Sequence, residues 1–345
     1  MSQAPAFAVI PGAQVHAALA GREARVVRIV EAAYRLHGEG LTVNPDSYFL
    51  RFPDRPADRI IALPASVEGG GKGGVGVHGV KWISSFPGNV AAGIPRASAV
   101  LILNDAGTGY PFACLESSII SAARTAASAS LAAAALADRR GDRPRRVGFV
   151  GAGLIARYVH TYLAANGFAF DELGVHDLSA EHAGGFKGYL ERTENGPVTV
   201  HGSAESLIRS SDLVVFATVA GEPHVTDPGW FAHAPLVLHV SLRDLSPEVI
   251  LSAYNIVDDV EHCLKANTSP HLAEQRVGHR GFVAGTLYDV LTGKTSPPAD
   301  RPVVFSPFGL GVLDLAVARH VYDEVSASGE LQTVPGFFHD MTRYG

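Results

Sequence analysis

Three ionisable side chains stand in stretches of this sequence that offer them little water. Lys81 lies in V-G-V-H-G-V-K-W-I, and strand alternation puts it on one face with Val75, Val77 and Ile83. A lysine on an apolar face is rarely buried without a reason. Either its ammonium snorkels to the strand end, or it binds a carboxylate or moves a proton. Arg124 is the only ionisable residue between Glu116 and Asp138, among small apolar residues. A buried guanidinium left without an anion is strongly destabilising. Its partner is an acid of the chain, a substrate carboxylate or a cofactor phosphate. Asp244 follows the strand-like run PLVLHVSL. A carboxylate at the carboxyl end of such a strand can accept a proton from an amine or from water; the alternative is a plain helix N-terminal Asp before Ser246, Pro247 and Glu248. Arg51, Arg59 and Arg96 border short strands. Each alone reads as a surface residue, but with Lys81 and Arg124 they form a cationic set suited to a substrate with several carboxylates.

A second kind of chemistry is written in glycines. Gly151, Ala152, Gly153, Leu154, Ile155 and Ala156 follow a strand (RRVGFV) and open a helix. Gly151 permits the tight turn, Gly153 lets the backbone approach a pyrophosphate, and Ala156 lets helix and strand pack closely. Asp177 ends the next strand, where a ribose-hydroxyl acceptor belongs. Leu178, Ser179 and Ala180 follow it, with no Arg or Lys to hold a 2′-phosphate, so NAD is favoured over NADP. Thr125 beside Arg124, and Thr218 and Ser241 after later strands, complete the candidate cofactor contacts.

These residues need two kinds of scaffold. Up to Glu116 a helix over about 22–37 is followed by strand-like runs: Ser47–Phe52, Arg59–Leu63, Val75–Ser84, Ala97–Leu103 and Tyr110–Leu115. Pro53, the Gly69–Gly74 cluster, Pro87 with Gly88, and Asn104 with Asp105 supply the turns. The glycine cluster reads as a hairpin turn, since no Lys-Ser/Thr follows to make it a phosphate loop. After Glu116 a helix runs to about Ala137, and apolar strands then alternate with helices, which indicates a parallel sheet covered on both faces. The segment from Val303 carries a strand, a glycine turn and a helix. Lying beyond the last Rossmann strand, it is expected to pack back on the first domain. The expected fold is α/β: a Rossmann-type doubly wound parallel sheet over 126–305, and an α+β domain with a mainly antiparallel sheet over 1–125 with 306–345.

Composition narrows the classes. A chain of 345 residues exceeds what one core usually supports, which favours two domains. Apolar residues make up 47% and charged residues 18%, a globular balance. The net charge of −6 and the lack of a basic run argue against nucleic acid. No secretory signal is read at the N-terminus. Ser117–Ala137 is apolar but contains Arg124, and it reads as a buried core helix, with no membrane partner. Cys114 and Cys263 have no metal-type spacing, which fits a reduced cytoplasm. The 15 histidines are read as ordinary surface or interface residues, and no metal is expected.

Taken together, these positions resemble the ornithine cyclodeaminase/mu-crystallin family over nearly the whole chain. The landmarks are G-V-K-W at 79–82, R-T-A-A at 124–127, G-A-G-L-I-A at 151–156, V-S-L-R-D at 240–244, and F-S-P-F-G-L from Phe305 with Asp314 after it. The resemblance implies that Lys81 and Arg124 bind the substrate carboxylate, that Asp244 acts on the reacting nitrogen or on water with Lys81 as a second acid/base group, and that the chain is a homodimer paired through its first domain. A-D-R-I-I-A-L-P (57–64), R-A-S-A-V-L-I-L-N-D (96–105), E-S-S-I-I-S-A-A-R-T-A-A (116–127) and D-x-x-x-E (244–248) are similar to one branch, the 2,3-diaminopropionate-forming dehydrogenases of siderophore and peptide-antibiotic pathways. That branch oxidises N-(2-amino-2-carboxyethyl)-L-glutamate with NAD and releases 2-oxoglutarate and L-2,3-diaminopropionate; Arg51 and Arg96 are then further substrate clamps. Ala62 stands where cyclodeaminases carry a glutamate, and Glu248 where they carry a lysine, which argues against proline formation. Alternatives are a cyclodeaminase, an alanine-type dehydrogenase, a ketimine reductase or a non-catalytic ligand-binding protein.

Overall fold

The structure, a computed structural model, describes residues 5–68, 76–194 and 196–339. The Gly69–Gly74 turn and Val75 lie outside the described residues. Two compact units emerge, Met1–Arg124 with Leu310–Gly345, and Thr125–Gly309.

The first unit is built on a mixed, mainly antiparallel sheet. Its strand order is Gln332–Thr333, Ala8–Ile10, Pro111–Glu116, Ala97–Asp105, Val77–Ser85, Arg55–Val67 and Thr42–Val43, with Tyr48–Phe52 also on Arg55–Val67. Arg55–Val67 is far longer than the expected Arg59–Leu63, although it contains Pro64. Proline interrupts a ladder by its missing N–H. Here the partner on one side ends at Tyr48 opposite Ala62, and the next begins at Val43 opposite Ser66, so Pro64 falls in the gap. The helices Glu23–Gly38 and Gly311–Ala327 pack together, and the second lies on the central strands. Its approach depends on Gly79. A Cβ there would stand 2.2 Å from the Ile102 carbonyl oxygen and 2.9 Å from Leu315.

The second unit is a parallel eight-stranded sheet. The order is Val198–Val200, Glu172–His176, Arg146–Val150, Leu213–Phe216, Leu236–His239, Val303–Ser306, Tyr254–Val257 and Val283–Thr286. The runs Leu213–Phe216, Leu236–His239 and Val303–Ser306 are buried at every position, as a sheet covered on both faces requires. The strand Val303–Ser306, read from the sequence as lying beyond the last Rossmann strand, is itself a strand of this sheet. It inserts between Leu236–His239 and Tyr254–Val257, in register with both. Its four buried apolar and small residues fit a central parallel strand better than an exposed edge. Only the chain from Leu310 onward belongs to the first unit.

The helix Ser118–Arg140 starts in one unit and ends in the other. By length and composition it could cross a membrane, but 72% of its most apolar window is buried within the protein, as in a core helix.

Candidate active site

Lys81 does not snorkel. Its side chain is 1% exposed, and its Nζ donates to Asp314 Oδ2 at 2.6 Å and to Ser121 Oγ at 3.3 Å. Arg124 Nε donates to the other oxygen, Asp314 Oδ1, at 3.1 Å. The acid partner that the sequence left open is therefore Asp314, fully buried on the first turn of Gly311–Ala327. Two cations share one carboxylate, so the cluster carries one net positive charge in a dry place. Burial is the largest influence on Lys81 and outweighs the pull of Asp314; with Arg124 adding repulsion, the ammonium is lowered to about 8.

The weaker arginines fall on the same sheet face. Register places Arg51 opposite Arg59, and Arg59 opposite Ser85. Ser85 has the parity of Lys81, four residues or about 13 Å further along the strand. Arg96 donates to Ser85 Oγ at 2.7 Å, and burial lowers its guanidinium from the ordinary value. Arg51 lies 4.8 Å over the Phe49 ring and is exposed. Ala62, in contrast, pairs with Trp82 on the opposite face. The side chain at position 62 therefore does not set the charge around Lys81, and Ala62 does not weigh against proline formation. Glu248 is occupied by an ion pair with Arg276.

In the second unit the glycine turn has the shape a pyrophosphate needs. Gly151 has φ +95°, and a Cβ on it would meet the Ala217 carbonyl oxygen at 2.7 Å. A Cβ on Gly153 would meet nothing within 4 Å, so the backbone is open at that point. The helix Leu154–Ala165 starts at Gly153 with no side-chain cap, which leaves its first N–H groups to a ligand. Ala156 is fully buried against the sheet, while Leu154 is exposed and Ile155 half-buried. Asp177 braces the turn: Ala152 N donates to its Oδ2 at 2.8 Å and Ser179 N to its Oδ1 at 2.8 Å. Each oxygen retains a lone pair for a ribose hydroxyl. The residues present fit a dinucleotide, which would accept a hydride at its nicotinamide.

Asp244 is the second fully buried carboxylate, 0% exposed. Thr218 Oγ1 donates to its Oδ1 and Ser241 Oγ to its Oδ2. His224 Nε2 lies 3.0 Å from Oδ1. His239 Nε2 lies 3.3 Å from Oδ2 and 3.2 Å from the Asp244 amide nitrogen. Burial alone would raise this acid, but the bonds from His224, His239 and Ser241 outweigh it and hold Asp244 well below the usual carboxylate range. Thr218 and Ser241, expected beside the cofactor, thus also converge on Asp244, and Thr125 is half-buried on the helix after Arg124. Asp314 appeared in the sequence only as the end of a motif, and His224 and His239 only among 15 histidines. The heptapeptide HVSLRDL did hold a signal for His239, five residues before Asp244 on the same strand end.

The sequence pattern that describes the ornithine cyclodeaminase/mu-crystallin family matches residues 14–329. The chain belongs to this family. Among its relatives is the alanine dehydrogenase of Archaeoglobus fulgidus, 28% identical over 85% of this chain and 88% of that protein. The N-((2S)-2-amino-2-carboxyethyl)-L-glutamate dehydrogenase of Staphylococcus aureus is also 28% identical, over 78% and 79%. The crystal structure of CmnK superposes with a TM-score of 0.86 at 30% identity, covering 97% of this chain and 99% of that one. The family member described here therefore has the architecture of an NAD-binding ornithine cyclodeaminase/mu-crystallin protein, and relatives at equal identity differ in the amino acid they act on.

Proposed function

We propose that this family member, an NAD-dependent enzyme acting on the CH–NH bond of an amino acid, cleaves N-(2-amino-2-carboxyethyl)-L-glutamate to 2-oxoglutarate and L-2,3-diaminopropionate. The observation that carries the reading is the shared sheet face of Lys81, Arg59 and the Ser85–Arg96 pair, with Arg124 joined to Lys81 through Asp314. Two cationic clusters about 13 Å apart on one strand suit a substrate with carboxylates at both ends and a third near the nitrogen. Ornithine, alanine and a cyclic ketimine each offer fewer carboxylates.

In this reading Arg124 and Lys81 clamp the carboxylate beside the reacting carbon, and Arg51, Arg59 and Arg96 hold the distal ones. The clamp would fix the orientation of Cα–H for hydride loss, and orientation of this kind supplies much of the rate. Gly151, Ala152, Gly153, Leu154 and Ile155 carry the pyrophosphate, Asp177 the ribose, and Arg124, Thr125, Thr218 and Ser241 border the rest of the cofactor. Asp244 serves the proton transfers. The enzyme works in the cytoplasm and supplies diaminopropionate to a siderophore or peptide natural product.

We further propose a homodimer. Tyr48, Trp82 and Val100 stand in one row on the other face of the sheet, with Leu50 nearby, and all four are exposed. An apolar sheet face of this kind calls for cover. Trp82→Arg is expected to give a monomer by light scattering at micromolar concentration, where the parent chain is a dimer.

The substrate test is direct. Protein, NAD and the conjugate should give NADH absorbance and one 2-oxoglutarate per NADH, while ornithine gives little or no proline. Proline from ornithine, or NADH from alanine alone, would replace this substrate with a simpler one.

A further inference from the structure

The Asp244 network holds a group that the expected chemistry does not use. Asp244 is sealed from water and saturated by hydroxyl and imidazole partners, which makes it a weak proton acceptor in its own right. His224, on the same carboxylate, is different: its side chain is 41% exposed. The pair is tied together through the backbone. His224 N and Val225 N both donate to the Asp244 carbonyl, at 3.0 and 2.9 Å, and Ser246 N donates to the Val225 carbonyl at 2.9 Å. Val225 and Leu245 form a parallel bridge between the two loops. These loops follow the strands Leu213–Phe216 and Leu236–His239, at the carboxyl edge of the parallel sheet, where doubly wound folds bind their ligands.

We propose that His224 is the proton carrier of the reaction, and that Asp244 acts through it by fixing its tautomer and balancing its charge. An ionised carboxylate only accepts hydrogen bonds, so the ring proton belongs on Nε2, toward Asp244 Oδ1. Nδ1 then carries the basic lone pair, and among the described residues no side chain or backbone group is bonded to it. The other charged or titratable groups on these loops and at the strand end are Glu222, Asp227, Arg243 and His239; Asp227 is taken up by the Gly229 amide, which donates to its Oδ1 at 2.8 Å. Arg243 is turned away, donating to the carbonyls of Gly221 at 3.3 Å and Ala266 at 3.0 Å. His239 is buried on the opposite carboxylate oxygen.

The proton ledger shows what the carrier does. A secondary amine reaches the enzyme as an ammonium and cannot release hydride until it loses a proton. Nδ1 of His224 takes that proton and becomes imidazolium against Asp244. The dinucleotide, held by Gly151–Ile155 and Asp177, would accept the Cα hydrogen with its electron pair, which leaves the substrate as a protonated imine. Water adds to the imine carbon, and one water proton moves from oxygen to nitrogen. The C–N bond breaks with its pair on nitrogen, and the second water proton passes to the freed amine. The products are a keto acid, a primary ammonium and NADH, with one net proton. His224 releases that proton to solvent from its exposed side. In the reverse direction the imidazolium supplies it.

This inference rests on the family's hydride chemistry and not on the choice of conjugate. Two measurements on the full chain test it. The first is ring-nitrogen NMR of His224 near neutral pH. Protonated Nε2 with unprotonated Nδ1 is expected in the parent protein, and a mixture of tautomers in Asp244→Asn. A ring protonated on Nδ1 alone overturns the assignment whatever the substrate. The second is turnover by His224→Ala, expected to fall about 100-fold with NADH binding retained, and to recover at least tenfold when imidazole is added. Unchanged turnover, or a loss that imidazole does not restore, also overturns it. If the parent enzyme makes no NADH from the conjugate while the ring shows the expected tautomer, the substrate reading fails and the assignment of His224 stands, with turnover then measured on the amino acid that the parent enzyme does oxidise.

Discussion

Asp314 and Asp244 are both fully buried carboxylates, one in each unit, and they are neutralised in opposite ways. Asp314 lies between two full cations, Lys81 and Arg124. Asp244 is held by two hydroxyls and two imidazoles. The first arrangement leaves a net positive charge and two donors that an incoming carboxylate can share. The second keeps a net negative charge stabilised without any permanent cation, so that a proton arriving nearby is welcomed. An amino acid presents both needs, an anionic carboxylate to be clamped and an ammonium to be deprotonated. The choice of partner residues decides which of the two properties a buried acid has.

The contrast predicts different failures. Asp314→Asn leaves Lys81 and Arg124 as neighbouring buried cations without their acid. Removing one partner of a buried pair costs about 3–5 kcal/mol, so a urea melt of this variant should show the largest loss of stability. A midpoint close to that of the parent would mean that Lys81 simply sheds its proton. Asp244→Asn keeps the shape and removes the charge. It should lose the stability that the ionised acid contributes, less than Asp314→Asn does, and bind substrate, yet turn over about 10²–10⁴-fold more slowly, the usual range for a lost acid/base function. Parent-like turnover would make Asp244 a purely structural acid.

How much of this was legible in the sequence depends on whether the signal is local. Gly151–Ala156 and Asp177 could be read because a strand, a turn and a helix follow one another within a few dozen residues, and each position has its own steric task. Lys81 and Arg124 could be picked out because each interrupts an apolar period. Their shared partner could not, because Asp314 is 190 residues beyond Arg124 and its meeting with Lys81 depends on Gly79 letting a distant helix approach. Val303–Ser306 was misplaced for a related reason. Chain order says nothing about spatial order in a parallel sheet, where crossovers allow a late strand to insert between earlier ones. Ala62 has no bearing on the charge at Lys81, since successive residues of a strand point to opposite faces and it is Leu63 that pairs with Lys81. His224 gave no signal at all; only the folded loops bring it to Asp244.

A smaller effect tests the geometry of the clamp. Arg124 reaches Asp314 through Nε, and its terminal nitrogens have no partner among the described residues. Those nitrogens are what a substrate carboxylate would bind in a planar fork. Arg124→Lys keeps the charge and loses the fork. Its kcat/KM should fall at least tenfold, about 1.4 kcal/mol. Kinetics within twofold of the parent would leave Arg124 with a structural role only.

The finest distinction between the two acids is their response to pH. Lys81, lowered to about 8 from 10.5 by burial, titrates within the working range. If its charge holds the substrate carboxylate, kcat/KM must fall as pH rises through about 8, since the neutral amine no longer attracts an anion. Its effect on stability runs the other way. A cation whose folded value is depressed opposes folding below about 8, and that penalty is relieved as pH rises from about 8 to 10.5. Asp244 behaves oppositely: held below the usual carboxylate range, it contributes stability above that range and loses it only in acid. Lys81→Arg separates the two sites. An arginine stays charged throughout, so the variant should lose the falling limb near 8 in its kcat/KM profile, with a lower plateau from the altered geometry. A limb that persists unchanged in Lys81→Arg belongs to another group, and the carboxylate clamp would then rest on Arg124 alone.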